Sequence, residues 1–155
     1  MAVKVVKAWT SGPFVWRTEK DGSHVLEHGG DLHSVIKQGV ASVEYKFTFK
    51  EGYRCDGLSV PRAFRWFLKS WDAENNLYNM AGAIHDWLYS TGGMFGVFKR
   101  DECDDVFRGI LRESGIGRVK AGFADKAVEL FAGGKRHWEN DDYGVSGLVT
   151  FSIYL

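Results

Sequence analysis

Met80-Ala81-Gly82-Ala83-Ile84-His85-Asp86-Trp87-Leu88-Tyr89 sets a histidine beside a carboxylate inside an otherwise apolar run. On a wheel of ~100° per residue, Leu77, Met80, Ala81, Ile84 and Leu88 share one stripe, which predicts an amphipathic helix over about 76–90. Asp72 or Asn75 offers it an N-cap, and Gly92-Gly93 stops it. His85 falls at the border of the stripe with Tyr78, Gly82 and Tyr89. Asp86 points away from it, among Asn75, Asn79 and Ser90. An apolar helix gains no stability from such a pair, so the pair asks for its own explanation.

Downstream, a second helix is expected over about 101–113, with Cys103, Val106, Phe107 and Ile110 on its apolar stripe. Asp104 lies at that stripe's border, flanked by Arg100 and Arg108, while Glu102 and Asp105 read as solvated. Gly115 and Gly117 end this helix. A third helix over 118–131 is expected to bury Val119, Phe123, Ala127, Leu130 and Phe131. The tail from Gly147 to Leu155 reads as a strand.

Upstream, residues 1–55 read as β. The clearest strand is Val43-Glu44-Tyr45-Lys46-Phe47-Thr48-Phe49-Lys50, which alternates apolar and polar. Val3 to Val6, Phe14 to Thr18, Val25-Leu26 and Leu32 to Ile36 supply further strands, separated by turn residues such as Asp21-Gly22-Ser23. After Glu51-Gly52 the chain turns into the Asp56 loop, and Pro61 opens a short helix through Arg65 and Leu68. The expected class is α+β: N-terminal antiparallel strands, a three-helix C-terminal half and a closing strand. A single domain is expected, with a β-rich part at 1–55, a helical part at 56–135 and a tail at 136–155.

At 155 residues, with 45% hydrophobic and 26% charged content, the chain has the make-up of a globular protein able to bury a core. A formal net charge of +0 argues against a nucleic-acid partner. No apolar run approaches ~20 residues and the N-terminus lacks an apolar leader, so neither a transmembrane helix nor a signal peptide is expected. Cys55 and Cys103 each precede an aspartate. They are expected as reduced, buried thiols, near each other but not bonded.

Packed antiparallel, the first two helices bring His85 and Asp104 face to face. A carboxylate that takes an imidazole N–H leaves the other ring nitrogen as an acceptor, the arrangement of a general base. The plainer reading is a tie between helices, Asp104 holding His85, Arg100 or Arg108 without turnover. For Asp86, solvation is the plain reading. An open His85 with an ion near Asp86 or Asp56 favours catalysis; a His85 sealed under aromatics with no cleft removes that reading. Arg62 offers a charged partner to Asp56 or Asp86. Arg118, Lys120, Lys126, Lys135 and Arg136 form a basic stripe best read as a solvated face. Trp66, Trp71, Trp87 and Trp138 suit a core better than a sugar platform.

Asp56-Gly57-Leu58-Ser59-Val60-Pro61-Arg62, then Ala83 to Tyr89, then Arg100 to Phe107 with Asp104, resembles the phage and prophage family catalogued as domain of unknown function 1353. The resemblance spans about residues 45–135. It implies a structural cluster of Asp56, Ser59, Arg62, Tyr89 and Arg100. It also implies a virion-associated protein, of the tail or tail assembly, that is made in the bacterial host cytoplasm and assembles with other phage structural proteins as a homo- or hetero-oligomer. A second, local similarity is to secreted phospholipases A2, in His85-Asp86 with Tyr89 and in Cys103-Asp104 with Phe107. That similarity implies His85 as base, Asp104 as its orienting group, and calcium at Asp86 with loop oxygens near Asp56. It departs in lacking a glycine-rich calcium loop and most of the cysteines. Without that similarity no cofactor is expected.

Overall fold

Alternating apolar and polar residues build the larger of two sheets. The computed structural model describes residues 3–58, 66–131, 138–141 and 143–155, with 128–131 as backbone alone. Strands β1 (Val3–Ser11), β4 (Gly30–Gln38), β5 (Ala41–Phe49) and β7 (Val149–Tyr154) lie in the order β1-β4-β5-β7, each pair antiparallel. The smaller sheet orders β2 (Val15–Thr18), β3 (His24–His28) and β6 (Arg54–Cys55) as β2-β3-β6. Tyr45, Phe47 and Phe49 are all buried, as the alternation of β5 requires. In β1 a register shift between Val5 and Lys7 changes the parity, so the buried residues run Val3, Val5, Ala8.

Two helices, α1 (Asn76–Ser90) and α2 (Arg100–Leu111), lie against the larger sheet at β1, and a third, α3 (Gly117–Phe131), packs on α2. Asn75 caps α1, its side-chain oxygen accepting the Tyr78 N–H at 3.1 Å. The apolar stripe proves too narrow a description of α1. Tyr78 to His85 and Trp87 to Tyr89 are all buried, and of its residues only Asp86 is exposed. Such a helix is a core element with neighbours on every side. Phe47 meets Trp87 edge-on at 5.8 Å, and the Tyr53 hydroxyl donates to the Ala83 carbonyl at 3.0 Å. Asn79, expected on the polar face, is buried instead. Its amide satisfies the backbone of Asp72, accepting from the N–H at 2.9 Å and donating to the carbonyl at 2.7 Å.

Cys103, Val106, Phe107 and Ile110 are buried along α2 as its stripe predicts. Glu102 is not solvated: it is buried and accepts the Lys99 N–H at 2.9 Å, closing the first turn of the helix. Arg108 bridges Asp105 at 2.8 Å and Asp125 at 3.2 Å, which joins α2 to α3. Among the described side chains of α3 the buried ones are Ala121, Ala124 and Ala127, which let that helix lie close to its neighbours, and Asp125. Phe123 is half-buried, whereas Val119 is 78% exposed, against expectation. The side chains of Leu130 and Phe131 lie outside the described residues. The helix expected to start at Pro61 lies largely outside them.

Between α1 and α2 the chain makes a left-handed turn. Gly92, Gly93, Met94, Phe95 and Gly96 all hold positive φ. At Gly93 (φ +76) a Cβ would sit 1.8 Å from the Phe98 carbonyl oxygen, so no larger residue fits. No helix among the described residues is long and apolar enough to cross a membrane. Cys55 and Cys103 are buried free thiols.

Candidate functional site

Packing of α1 against α2 sets the central geometry. The His85 Nε2–H donates to Asp104 Oδ1 at 2.8 Å, and the Tyr89 hydroxyl donates to the same oxygen at 2.8 Å. His85 and Tyr89 stand one turn apart on α1, which is why both reach one carboxylate across the helix pair. With Nε2 donating, a neutral ring keeps its lone pair on Nδ1. The His85 ring lies against Tyr89 at 4.3 Å and Phe107 at 4.8 Å between centroids, and His85 is 6% exposed. Burial, and then the hydrogen bond to Asp104, push the Tyr89 hydroxyl far up, so it stays a donor across the physiological range. Trp138 meets Tyr89 edge-on at 5.3 Å, and the Glu139 N–H donates to the Tyr89 carbonyl at 2.7 Å. The far end of the chain therefore covers the last turn of α1.

The Asp56 loop reaches this helix through two glycines. Gly57 holds φ +77, and the Leu58 N–H donates to the Ser70 carbonyl at 2.8 Å. A Cβ on Gly82 would stand 3.0 Å from Leu58 Cδ1 and 3.5 Å from the Gly57 carbonyl carbon. The loop thus rests on the face of α1 that carries Gly82, His85, Asp86 and Tyr89, so the three sequence segments converge on one helix. They do not converge on one residue. Asp56 accepts a hydrogen bond from the Tyr143 hydroxyl, while Asp104 accepts those from His85 and Tyr89. The charges of both Asp56 and Asp86 add to burial in raising the Tyr143 hydroxyl and the Cys55 thiol, which places the two carboxylates in one neighbourhood. Arg100 stands near Tyr89, where its charge opposes the rise of that hydroxyl. Arg108 serves Asp105 and Asp125 rather than Asp104. Ser59 and Arg62 lie outside the described residues, and with them the expected Arg62 pairing.

Among the described residues no three His, Cys, Asp or Glu side chains come together in a group able to hold a metal ion. Asp56 and Asp86 supply two carboxylates, and residues 59–65 of the Asp56 loop lie outside the described residues. The tryptophans do not form one platform. Trp87 is core, Trp71 stacks on His24 at 3.7 Å, Trp138 covers Tyr89, and Trp66 is 83% exposed. Arg118, Lys120 and Lys126 are exposed, while Lys135 and Arg136 lie outside the described residues.

Two contributors had no local signal in the sequence. Tyr143 comes to Asp56 across 87 positions, from a segment with no periodic pattern. His24 is buried on β3, with its Nδ1 3.0 Å from the Thr18 hydroxyl; burial lowers its pKa and the Asp56 charge opposes that shift.

A comparison with curated proteins gave no match, and neither did one with solved structures. The family described as "Protein of unknown function (DUF1353)" matches residues 35–128. That span runs from β4 through most of α3. It takes in the Asp56 loop, the His85 helix and Asp104, the three segments that meet around α1, and on this match over more than half of its length the chain belongs to the DUF1353 family.

Proposed function

We propose that this protein is a hydrolase in which His85 acts as general base, Asp104 orients it and Tyr89 fixes Asp104. The observation that supports the reading is the shared Asp104 oxygen, which takes both the His85 Nε2–H and the Tyr89 hydroxyl at 2.8 Å. That pattern holds the ring in one tautomer and presents Nδ1 as the basic nitrogen. In the reaction a water gives its proton to Nδ1 as its oxygen attacks the carbonyl of an ester or amide; the tetrahedral intermediate then collapses, the acyl C–O or C–N bond breaks, and the imidazolium returns that proton to the leaving alcohol or amine. Asp104 stabilises the imidazolium that results. Substrates of the bacterial envelope are the class proposed, with phospholipid esters first. No step uses calcium. Coverage of the ring by Tyr89 and Phe107 weighs on the side of a helix tie. At 6% exposure His85 is covered but not fully sealed, and the reading requires that one water reach Nδ1.

The test is product release from phospholipid vesicles and from isolated cell envelope, followed by mass spectrometry. His85→Asn is expected to lower the rate by about 10²–10⁴-fold, the usual contribution of a positioned base. Wild-type protein that releases nothing above the blank from either substrate, or a His85→Asn protein of full activity, removes the reading.

A second reading is particle association, in which the chain is a structural partner within a phage tail or its assembly. Apolar side chains left exposed on β7, Phe151, Ile153 and Tyr154, favour it. Mass spectrometry of purified virions decides the matter, since absence of the chain from particles ends this reading.

A further inference from the structure

The two edges of the larger sheet are unlike. β1 carries Lys4, Lys7 and a register shift between Val5 and Lys7, devices that keep a strand edge from pairing with another chain. β7 has none of them. Val149-Thr150-Phe151-Ser152-Ile153-Tyr154 holds no charge, no proline and no register shift, and among the described residues nothing pairs with its outer side. Phe151 and Ile153 stand opposite Phe47 and Tyr45 and so belong to the core face, yet they are 39% and 46% exposed. Phe95 is 74% exposed at the left-handed turn, at a φ of 58° that an aromatic residue rarely adopts. Its ring and that of Phe151 both pack on Trp87, 6.3 and 6.1 Å between centroids.

We propose that β7 pairs antiparallel with β7 of a second copy across a two-fold axis, joining two four-stranded sheets into one. A self-pairing centred on Phe151 or Ser152 keeps the odd-numbered residues of both copies on the core face. The uncovered Phe151 and Ile153 of each copy then meet, with Phe95 of each copy at the margin. The charge pattern suits a second copy. The edge itself carries no charged side chain, and the charged residues paired to it on β5, Glu44 and Lys46, stand at least about 14 Å from their counterparts, three strand spacings away and beyond the screening length. A standard stable interface buries about 600–1,000 Å² per protomer, and the β7 edge with Phe95, Phe151 and Ile153 is the exposed apolar surface from which this one would be drawn. Assembly stops at two copies because the other edge of each sheet is the guarded β1. The inference goes beyond the hydrolytic reading and does not depend on it.

Sedimentation equilibrium from about 1 to 200 µM reads the dissociation constant directly. A dimer in the micromolar range is expected. Ile153→Lys, which sets one charge on each side of the axis within the paired strands, should weaken it by about a hundredfold. Phe95→Gly relieves the positive φ, so its melting temperature should not fall, while the dimer weakens by about tenfold. Wild-type protein that stays monomeric at the highest concentration, or variants that leave the constant unchanged, overturn the proposal. So does a monomer that sediments with phosphatidylcholine vesicles and loses that binding on Ile153→Lys, which would assign the patch to lipid. A monomeric wild type with hydrolytic activity intact would sink this proposal alone, since His85 and Asp104 lie between α1 and α2.

Discussion

One oxygen of Asp104 takes two buried donors, and that makes Asp104 the residue at which stability and chemistry are most tightly joined. Asp104→Asn keeps the shape but replaces a charged acceptor with a neutral one, and should cost about 1–3 kcal/mol in urea unfolding. Tyr89→Phe removes one donor and should cost about 1 kcal/mol. The double variant should lose less than the sum of the two, because they share one bond. Calcium offers a contrasting check. With two carboxylates and no third ligand side chain among the described residues, millimolar calcium is expected to leave the melting temperature unchanged. A rise of several degrees, the effect of ligand at many times its dissociation constant, would show a site the donor set does not provide. The His85–Asp104 pair was legible in the sequence, because helical spacing puts both residues at stripe borders. The bond from Tyr143 to Asp56 was not, because it joins a loop to a non-periodic tail and no local rule links the two.

At the scale of elements, the left-handed turn is the most constrained segment between α1 and α2. Gly93→Ala would drive its methyl group into the Phe98 carbonyl at 1.8 Å, and the Phe98 N–H must still reach the Gly93 carbonyl at 2.8 Å. The substitution should cost more than about 3 kcal/mol or prevent folding, as measured by denaturant midpoint and circular dichroism. An unchanged midpoint would mean that the turn relaxes freely. In the sequence these glycines read only as a helix stop and a loose loop. Positive φ at Met94 and Phe95 has no local signature, because Met94 is drawn there by burial, at 1% exposure. The strands and helices were legible from their periods. The face of α3 was not: alanines, the least hydrophobic candidates, are what close packing selects, and Val119 was left outside.

For the whole molecule, burial of ionisable groups sets the response to pH. Burial raises the thiols of Cys55 and Cys103 and the hydroxyls of Tyr53, Tyr78 and Tyr89 above their ordinary values. In the unfolded chain the same groups lose protons near pH ~8.5 for cysteine and ~10 for tyrosine. Above those values the native state holds more protons than the unfolded one, so stability is complete at neutral pH and falls as pH rises. Urea midpoints should be level between about pH 7 and 8, decline from about pH 9, and fall again below about pH 6.5, where the unfolded chain protonates the His24 ring that burial keeps neutral. A flat profile to pH 11 would mean that these groups are open to water. The α+β class was legible as a whole because each element announced its own period. Which strand lay next to which was not, since β7 joins β5 from the far side of three helices. Phe49 pairs with Val149 across 100 positions, and closing so long a loop costs about 4 kcal/mol of chain entropy before any contact forms. On a ribosome that adds ~5–20 residues per second, β5 leaves synthesis with its hydrogen-bonding edge open for several seconds before β7 exists to fill it. The nascent chain is therefore most exposed to mispairing in that interval, and slower translation should lower the yield of native protein. A chain cut before Val149 keeps the edge open permanently and should partition into aggregates more than the full chain does.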